Sequence, residues 1–162
     1  MINKILEYFP VQVRNMFTDI NMENLEEIRL RINKPIILKF SNYEKILDTN
    51  ITSKEILECL QYICDNSIYA YQNQICNGFI TIKGGHRIGI TGSCIMEDNR
   101  IININYISSL NFRIARQVIG CSNNVLEHVL NQNENTIYNT LIISSPGVRK
   151  NYFTKRPIKK YK

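Results

Sequence analysis

The sequence predicts an α/β fold of the α+β kind, in which amino-terminal helices precede a mainly antiparallel sheet. Three observations predict it. Apolar residues recur at helical spacing before residue 20 and again after residue 52. From residue 79 the apolar period changes to two, and turn residues separate the alternating runs. Near residue 138 a nearly continuous apolar run follows, which is typical of a strand buried on both faces.

The first 40 residues predict two helices and two strands. The apolar residues within 3–19 recur at helical spacing. Pro10 divides this segment into a short first helix and a second helix that starts at Pro10. The segment "LEEIRLRINKPIILKF" then alternates apolar and charged residues, which predicts a strand through residue 32. Asn33-Lys34-Pro35 predicts a turn, and residues 36–40 a returning strand.

The middle of the chain predicts a pair of helices. Thr52-Ser53-Lys54-Glu55 is a capping box, in which a threonine hydroxyl and a glutamate carboxylate bond each other's backbone amides. One apolar stripe follows it, formed by Ile56, Leu57, Leu60, Ile63 and Cys64. A second helix is predicted to end at Gly78, which can adopt the left-handed conformation of a helix cap.

Residues 79–115 predict strands joined by tight turns. Gly84-Gly85 supplies the positive φ of one hairpin and Asp98-Asn99 forms the next turn. Gly89 and Gly92 fall in strand or bulge positions. Glycine weakens a strand there, so its presence indicates that another backbone segment or a ligand comes close. Residues 122–131 predict a helix, and Tyr138–Ile143 a final strand.

Composition excludes several classes of protein. The 162 residues suit one domain, or one domain and a fragment. No apolar run approaches the roughly 20 residues of a membrane span, and the start lacks a signal-peptide pattern. Five cysteines without CxxC spacing predict reduced, mostly buried thiols of a cytoplasmic protein. With two histidines and no ligand spacing, we expect no metal site.

The positive charge is confined to the tail. The formal net charge is +6, yet residues 149–162 contain seven basic residues and no acid. The remaining 148 residues hold 13 basic and 14 acidic side chains, a net charge of −1. A nucleic-acid-binding domain would have its basic stripe on the folded body, so no specific nucleic-acid partner is expected. We expect this tail to be disordered.

Two groups of strand residues are candidates for binding. His86 and Arg87 follow the glycine turn and could hold a ligand, although a hairpin with an exposed turn is the simpler interpretation. The arginines of "RLR" and "LNFRIARQ" could reach a neighbouring subunit's phosphates, although solvated or salt-bridged strand faces are commoner; these are Arg29, Arg31, Arg113 and Arg116. No set of catalytic residues can be singled out.

The segment "NTLIISSPGVRKNYFTKR" resembles a phosphate-binding loop that has been altered. An apolar run leads into a turn and a lysine, as such loops require, through Ser144, Ser145, Pro146, Gly147, Val148 and Lys150. Backbone amides of the loop cradle phosphates, the lysine neutralises them, and a Ser/Thr hydroxyl binds Mg²⁺. Here Arg149 replaces the second glycine and Asn151 the hydroxyl residue, so the Walker A motif is degenerate.

Several blocks together resemble the stage III sporulation protein AA family, sporulation ATPases similar to secretion ATPases. The blocks are "LEEIRLRINKPIIL", "NGFITIKGGHRIGITG", "ISSLNFRIARQVIGC" and "NTLIISSPGV", over roughly residues 22–148. The resemblance implies an amino-terminal α/β domain over residues 1–131. It also implies that residues 132–148 begin a RecA/AAA-like P-loop core, truncated here, and that residues 149–162 are an out-of-frame tail.

A single inserted base accounts for the tail. The codons GGA AAA ACT ACT TTA CTA AAA GA encode the Gly-Lys-Thr-Thr loop end that the family has. With one A placed in front they read AGG AAA AAC TAC TTT ACT AAA AGA, which encodes Arg-Lys-Asn-Tyr-Phe-Thr-Lys-Arg. Residues 149–156 have this sequence. The hypothesis is therefore a family sequence read in a shifted frame, in which Lys150 is a lysine by accident.

The resemblance implies an ATPase that uses ATP and Mg²⁺ to power a channel between mother cell and forespore. It implies a ring of subunits in the mother-cell cytoplasm, peripheral to membrane proteins of the same channel complex. We expect that the chain as written does not bind nucleotide productively and has no ATPase activity. Two alternatives remain open: a non-catalytic module that docks sporulation partners, and a binder of anionic surfaces acting through the basic tail.

Overall fold

The computed structural model describes residues 3–115, 125, 128–131, 136–141 and 143. The chain divides into two compact units, Met1–Ala115 and Arg116–Lys162. The first unit contains the large sheet and the second a small strand pair. The division into 1–131, 132–148 and 149–162 that the sequence suggests stays a prediction.

The first unit is built on six strands: β1 (Leu25–Arg31), β2 (Pro35–Phe40), β3 (Glu44–Asn50), β4 (Phe79–Thr81), β5 (Arg87–Glu97) and β6 (Arg100–Arg113). Their order in the sheet is β3-β2-β1-β6-β5-β4, and every neighbouring pair is antiparallel. The predicted α+β class with a mainly antiparallel sheet is therefore confirmed.

Four short helices accompany the sheet: α1 (Asn3–Leu6), α2 (Val11–Asn15), α3 (Ser53–Ile63) and α4 (Gln72–Cys76), the last preceded by a 3-10 turn over Ile68–Tyr71. Pro10 is the N-cap of α2, as predicted. The capping box of α3 is also confirmed, because the Thr52 hydroxyl accepts from the Glu55 amide at 3.2 Å. In return the Glu55 carboxylate accepts from the Thr52 amide at 2.7 Å. Gly78 follows α4 with φ +79°, the predicted left-handed cap.

The helices cover one face of the sheet. Phe9, between α1 and α2, stacks on Phe112 of β6 with ring centroids 4.6 Å apart and meets Phe17 edge-on at 5.4 Å. Alternate residues of the strands are fully buried beside these rings, among them Ile28, Leu30, Leu38, Ile88, Leu110 and Phe112. Burying each such side chain stabilises the fold by about 1.5–3 kcal/mol.

Tight turns set the register of the hairpins. Asp98 and Asn99 join β5 to β6 with φ of 48° and 60°, and such a turn matches the twist of the flanking strands. Gly84 and Gly85 have φ of 90° and 79° in the turn before β5. Asn33, with φ 58°, turns the chain between β1 and β2. All three predicted turns are confirmed.

The hairpin of β5 and β6 extends beyond the other strands. Its residues Ser93–Asn105 pair only with one another, and we call this part the β ribbon. A bulge of β6 over residues 106–108, opposite Gly92, separates the ribbon from the sheet, and Tyr106 there has φ 48°. A Cβ on Gly92 would lie 2.7 Å from the carbonyl oxygen of Asn105, so backbone approaches here, as the sequence suggested for such a glycine.

The second unit departs from the prediction. Its strands are β7 (Leu130–Asn131) and β8 (Thr136–Ile137), an antiparallel pair. Val125, His128 and Val129 are helical, so the predicted helix over 122–131 ends earlier than expected. The predicted strand Tyr138–Ile143 is wrong for its described residues, which form no strand. An apolar run becomes a central strand only when neighbours pair with it, and none of the described strands does.

The close contact at Gly92 can be tested by substitution. We expect Gly92→Ala to lower the free energy of unfolding by about 1–3 kcal/mol, because its methyl group would overlap a backbone oxygen. Gly89→Ala is the matched control on the same strand. Its Cβ would lie 3.7 Å from the nearest atom, an ordinary contact. Urea unfolding of both variants measures the difference, and equal losses would contradict the described bulge.

Candidate functional site: the open face of the sheet

Four of the candidate basic residues lie together on the side of the sheet opposite the helices. Arg29, Arg31, Arg87 and Arg113 alternate along β1, β5 and β6 with buried apolar residues, so all four project from the other side. We call this side the open face. Across the strands, Arg29 pairs with Asn111, and Arg87 pairs directly with Arg113.

Arg29 is held in an ion-pair network. Its Nη2 and Nε donate to Glu27 Oε2 at 2.7 and 3.0 Å, and its Nη1 donates to Glu44 at 3.2 Å. The side-chain amide of Asn111 donates to the other Glu27 oxygen at 2.5 Å. The salt-bridged interpretation is therefore confirmed for Arg29, whose charge is balanced within the described fold.

This network shifts the pKa of both charged groups at its centre. Burial raises the pKa of the Glu27 carboxyl, but hydrogen bonds from Asn111 and Arg29 outweigh it, so the pKa lies below its ordinary value. The hydrogen bond to Glu27 raises the pKa of the Arg29 guanidinium. Both shifts favour the charged forms, so the ion pair persists at neutral pH.

The positive charges of Arg87 and Arg113 are neutralised less well by neighbouring carboxylates. They lie directly opposite each other on neighbouring strands, and like charges in that position repel. Arg113 also pairs in register with Glu27, whose two oxygens accept hydrogen bonds from Arg29 and Asn111. The Arg87 guanidinium lies 5.4 Å from the ring centroid of Phe79. No ion pair within the described part of the chain includes either arginine.

A groove of about 600 Å³ lies on the open face, and neither Arg87 nor Arg113 is among the residues that line it. Arg29, Arg31, Lys34 and Asn111 line it, with Thr91 and Ser109 supplying hydroxyl groups. The Asn111 Oδ1 atom is buried and has no hydrogen-bond partner. Since Asn111 must present its NH₂ group to Glu27, this buried oxygen has no donor among the described residues. The basic side chains that line the groove suit a polyanion.

His86 has a structural position that the sequence did not predict. Only 4% of the residue is exposed, so it does not belong to an exposed turn. Its Nδ1 accepts the amide N–H of Ala115, the last residue of the first unit, at 2.9 Å. Gly84 lies against its other nitrogen, because a Cβ there would come within 2.7 Å of Nε2. Burial lowers the pKa of His86, which favours the neutral ring that this bond requires.

The predicted loop residues lie outside the described part of the chain. This applies to Ser144, Ser145, Pro146, Gly147, Val148 and Lys150, and to Arg116. Immediately before them, Leu141 and Ile143 are each 83% exposed. The role of residues 144–148 and Lys150 in holding nucleotide therefore stays a prediction.

The described residues contain no group of three His, Cys, Asp or Glu side chains arranged to hold a metal ion. The four cysteines among them are free thiols. Burial raises the pKa of Cys59 to about 12 and that of Cys64 to about 11, so both are poor nucleophiles. Cys59 and Cys64 are buried and Cys76 is half-buried, whereas Cys94 on the β ribbon is exposed. Within the described ranges no helix is both long and apolar enough to cross a membrane.

Comparison with known proteins places these features in context. The family model described as "Sporulation stage III, protein AA" matches residues 2–161. Stage III sporulation protein AA of Bacillus subtilis (strain 168) is 32% identical over 151 residues, which cover 91% of this chain and 48% of that protein. The chain thus spans about half the length of this relative.

Two solved structures show a weaker likeness. The Legionella pneumophila ATPase DotB has a TM-score of 0.43 at 11% identity, covering 77% of this chain and 33% of its own. The VirB11 ATPase of the Brucella suis type IV secretion system has a TM-score of 0.40 at 10% identity, covering 90% and 40%. The family assignment rests on the sequence comparisons alone.

Protonation of His86 should weaken the fold. Its pKa in the folded chain lies below the ordinary 6.5, so the unfolded chain takes up the proton first as the pH falls. We therefore expect full stability above about pH 6.5 and a falling free energy of unfolding toward about pH 5.5. Urea unfolding across this range measures the slope.

His86→Asn is the matched variant, since an amide oxygen can accept the Ala115 N–H without titrating in this range. It should flatten the slope even if its stability at neutral pH is lower. An equal slope in His86→Asn and the unsubstituted chain would contradict this role of His86.

Proposed function

Since the chain belongs to the stage III sporulation protein AA family, we propose that it acts in spore formation as part of an ATP-driven component of a transport channel. The family match supports the role in sporulation, and the resemblance of the 144–150 loop to a Walker A motif supports the use of ATP. The proposed protein assembles as a ring in the mother-cell cytoplasm, next to membrane proteins of the same channel. Its cofactors are ATP and Mg²⁺.

The open face supplies the observation that carries this proposal. Arg87 and Arg113 lie opposite each other without an ion-pair partner among the described residues, on the same face as the groove lined by basic side chains. An anion between the two guanidinium groups would remove their repulsion and accept hydrogen bonds from both. A polyphosphate provides such an anion. The open face is therefore proposed to contact the phosphates of a nucleotide.

The loop itself is proposed to be defective. In the Walker A arrangement, Ser144–Val148 would approach the phosphates with backbone amides and Lys150 would neutralise them. Arg149 adds a long side chain at a position where glycine allows that approach. Asn151 has no hydroxyl for Mg²⁺. As written, the chain is proposed to hold nucleotide weakly and to hydrolyse none.

Residues 149–156 are proposed to be a shifted reading of the Gly-Lys-Thr-Thr loop end. A choice of codons for the family's loop end that, after one inserted base, encodes all eight residues 149–156 supports this, as does the change of charge at residue 149. The family-model match runs on to residue 161 and so includes these residues. Sequencing the gene around codon 149 tests the idea, which fails if the frame is confirmed and no ATPase core is encoded downstream in any frame.

A docking module without turnover is the second candidate, and the Arg149 and Asn151 replacements favour it. Such a module would capture its sporulation partners equally well with and without ATP. A binder of anionic surfaces would act through residues 149–162, so deleting them would abolish a salt-sensitive interaction. These outcomes separate the three functions.

Repair of the loop should restore nucleotide binding. We expect the double variant Arg149→Gly/Asn151→Thr to bind Mg²⁺-ATP at least about tenfold more tightly than the chain as written, because backbone approach and a metal-binding hydroxyl return. Isothermal titration calorimetry measures the affinities. Adding Lys150→Ala to the repaired loop should reverse the gain.

The chain as written provides the opposing test. Measurable Mg²⁺-dependent ATP hydrolysis that Lys150→Ala abolishes would show that the loop is functional despite Arg149 and Asn151. That outcome would remove the argument for a defective site while leaving the family membership untouched.

A further inference from the structure

The β ribbon has a backbone edge that no described strand covers. β4 pairs with β5 only over Arg87–Gly89, so the outer edge of Ser93–Glu97 lies beyond its end. The outer edge of a strand offers a row of amide and carbonyl groups to another strand. Proteins ordinarily protect such edges, because an unprotected one pairs with other chains.

The other edges of this sheet are protected. Charged side chains lie along β3 at Glu44, Lys45 and Asp48, which oppose pairing. β4 has only three residues, and its Thr81 amide is already bonded to the Gln74 side chain at 3.1 Å. On the β6 side of the ribbon, the Gln72 side-chain amide donates to the carbonyl of Ile102 at 3.2 Å. The β5 side of the ribbon has no charged residue over residues 93–96 and no side-chain bond of this kind among the described residues; its one irregularity is a bulge of β6 opposite Ile95 and Met96.

The side chains of the ribbon also favour contact with another protein. Residues 93–96 read Ser-Cys-Ile-Met and carry no charge. Four large apolar residues are between 39% and 58% exposed at the end of the ribbon, namely Ile95, Met96, Ile101 and Ile102. Glu97, Asp98 and Arg100 give the tip a net charge of −1, which offers no attraction to an anionic membrane. The chemistry therefore fits a protein surface better than a lipid surface.

We propose that Ser93–Glu97 pairs antiparallel with the same segment of a second copy of this chain, centred on Ile95. In that register Ile95 faces its own counterpart and Cys94 faces the partner subunit's Met96. Ser93 faces the partner subunit's Glu97, whose carboxylate accepts from the serine hydroxyl. Apolar residues thus meet apolar residues, and no like charges stand opposite each other.

The same operation fails on the other long edge. Pairing β3 with a second β3 about Leu47 would place Asp48 against Ile46, which would bury a charge beside an apolar side chain. In the compared registers the ribbon therefore matches a second copy of itself better than β3 does. The two five-residue segments would bury less than the roughly 1,000 Å² of a stable interface, so the dimer is weak and depends on concentration.

Sedimentation equilibrium of the full chain tests the proposal from about 10 µM to about 1 mM, the range of a weak interface. We expect reversible dimers, and we expect Ile95→Lys to lower the association constant at least about tenfold through charge on the edge. Ile46→Lys on β3 is the matched control and should leave association unchanged. A monomer throughout this range, or equal effects of the two variants, would overturn the proposal.

Disulfide trapping tests the register. In a Cys94→Ser background, Ile95→Cys places two thiols opposite each other across the two-fold axis, and mild oxidation by copper phenanthroline should link them into dimers. Ser93→Cys in the same background would face a glutamate and should link at least about tenfold more slowly. Equal rates for the two variants would overturn the register. Unchanged thermal unfolding under reducing conditions confirms that both variants fold.

Discussion

Burial of one face of the six-stranded sheet is the constraint on which the rest of the structure depends. Along β1, β5 and β6 each buried residue, such as Ile28 or Phe112, alternates with a residue on the open face. A register slip of one residue would exchange the two sets, exposing the core and burying the arginines. The packing of Phe9 on Phe112 therefore fixes the core and the position of the candidate site together.

On the open face, the Glu27 carboxylate determines which arginine has its charge neutralised. Glu27 is shared by Arg29 and Asn111, and no ion pair among the described residues joins it to Arg113, its neighbour in register. The repulsion between Arg87 and Arg113 is therefore not relieved by the described fold. A ligand that supplies negative charge would stabilise the folded chain as well as occupy the site. Under the proposal, binding and stability would be coupled through the same pair of arginines.

Elements with strong local signals could be predicted from the sequence. The capping box at Thr52, the Asp98-Asn99 turn and the cap at Gly78 each depend on residues that are close in the chain. β3 was not predicted, because "EKILDTN" has two apolar residues and lies at an exposed edge. The error at residues 138–143 has the opposite cause, since an apolar run indicates burial but cannot supply the neighbouring strands.

The candidate site could be predicted only in part. The sequence identified the arginines, but their separation into a balanced Arg29 and an unbalanced Arg87–Arg113 pair depends on contacts between distant strands. The burial of His86 depends on Ala115, 29 positions away in the chain. No local pattern carries such information. The phosphate-loop prediction came from spacing and resemblance, and its residues lie outside the described part of the chain.

Binding of inorganic tripolyphosphate, followed by amide chemical shifts in NMR spectra, tests the central claim about the open face most directly. The account predicts that the largest shifts fall on Arg87, Gly89, Asn111 and Arg113, and that they weaken as salt is added. Shifts confined to residues 149–162 would assign anion binding to the basic tail instead. That result, or no shifts on the open face at millimolar tripolyphosphate, would contradict the account.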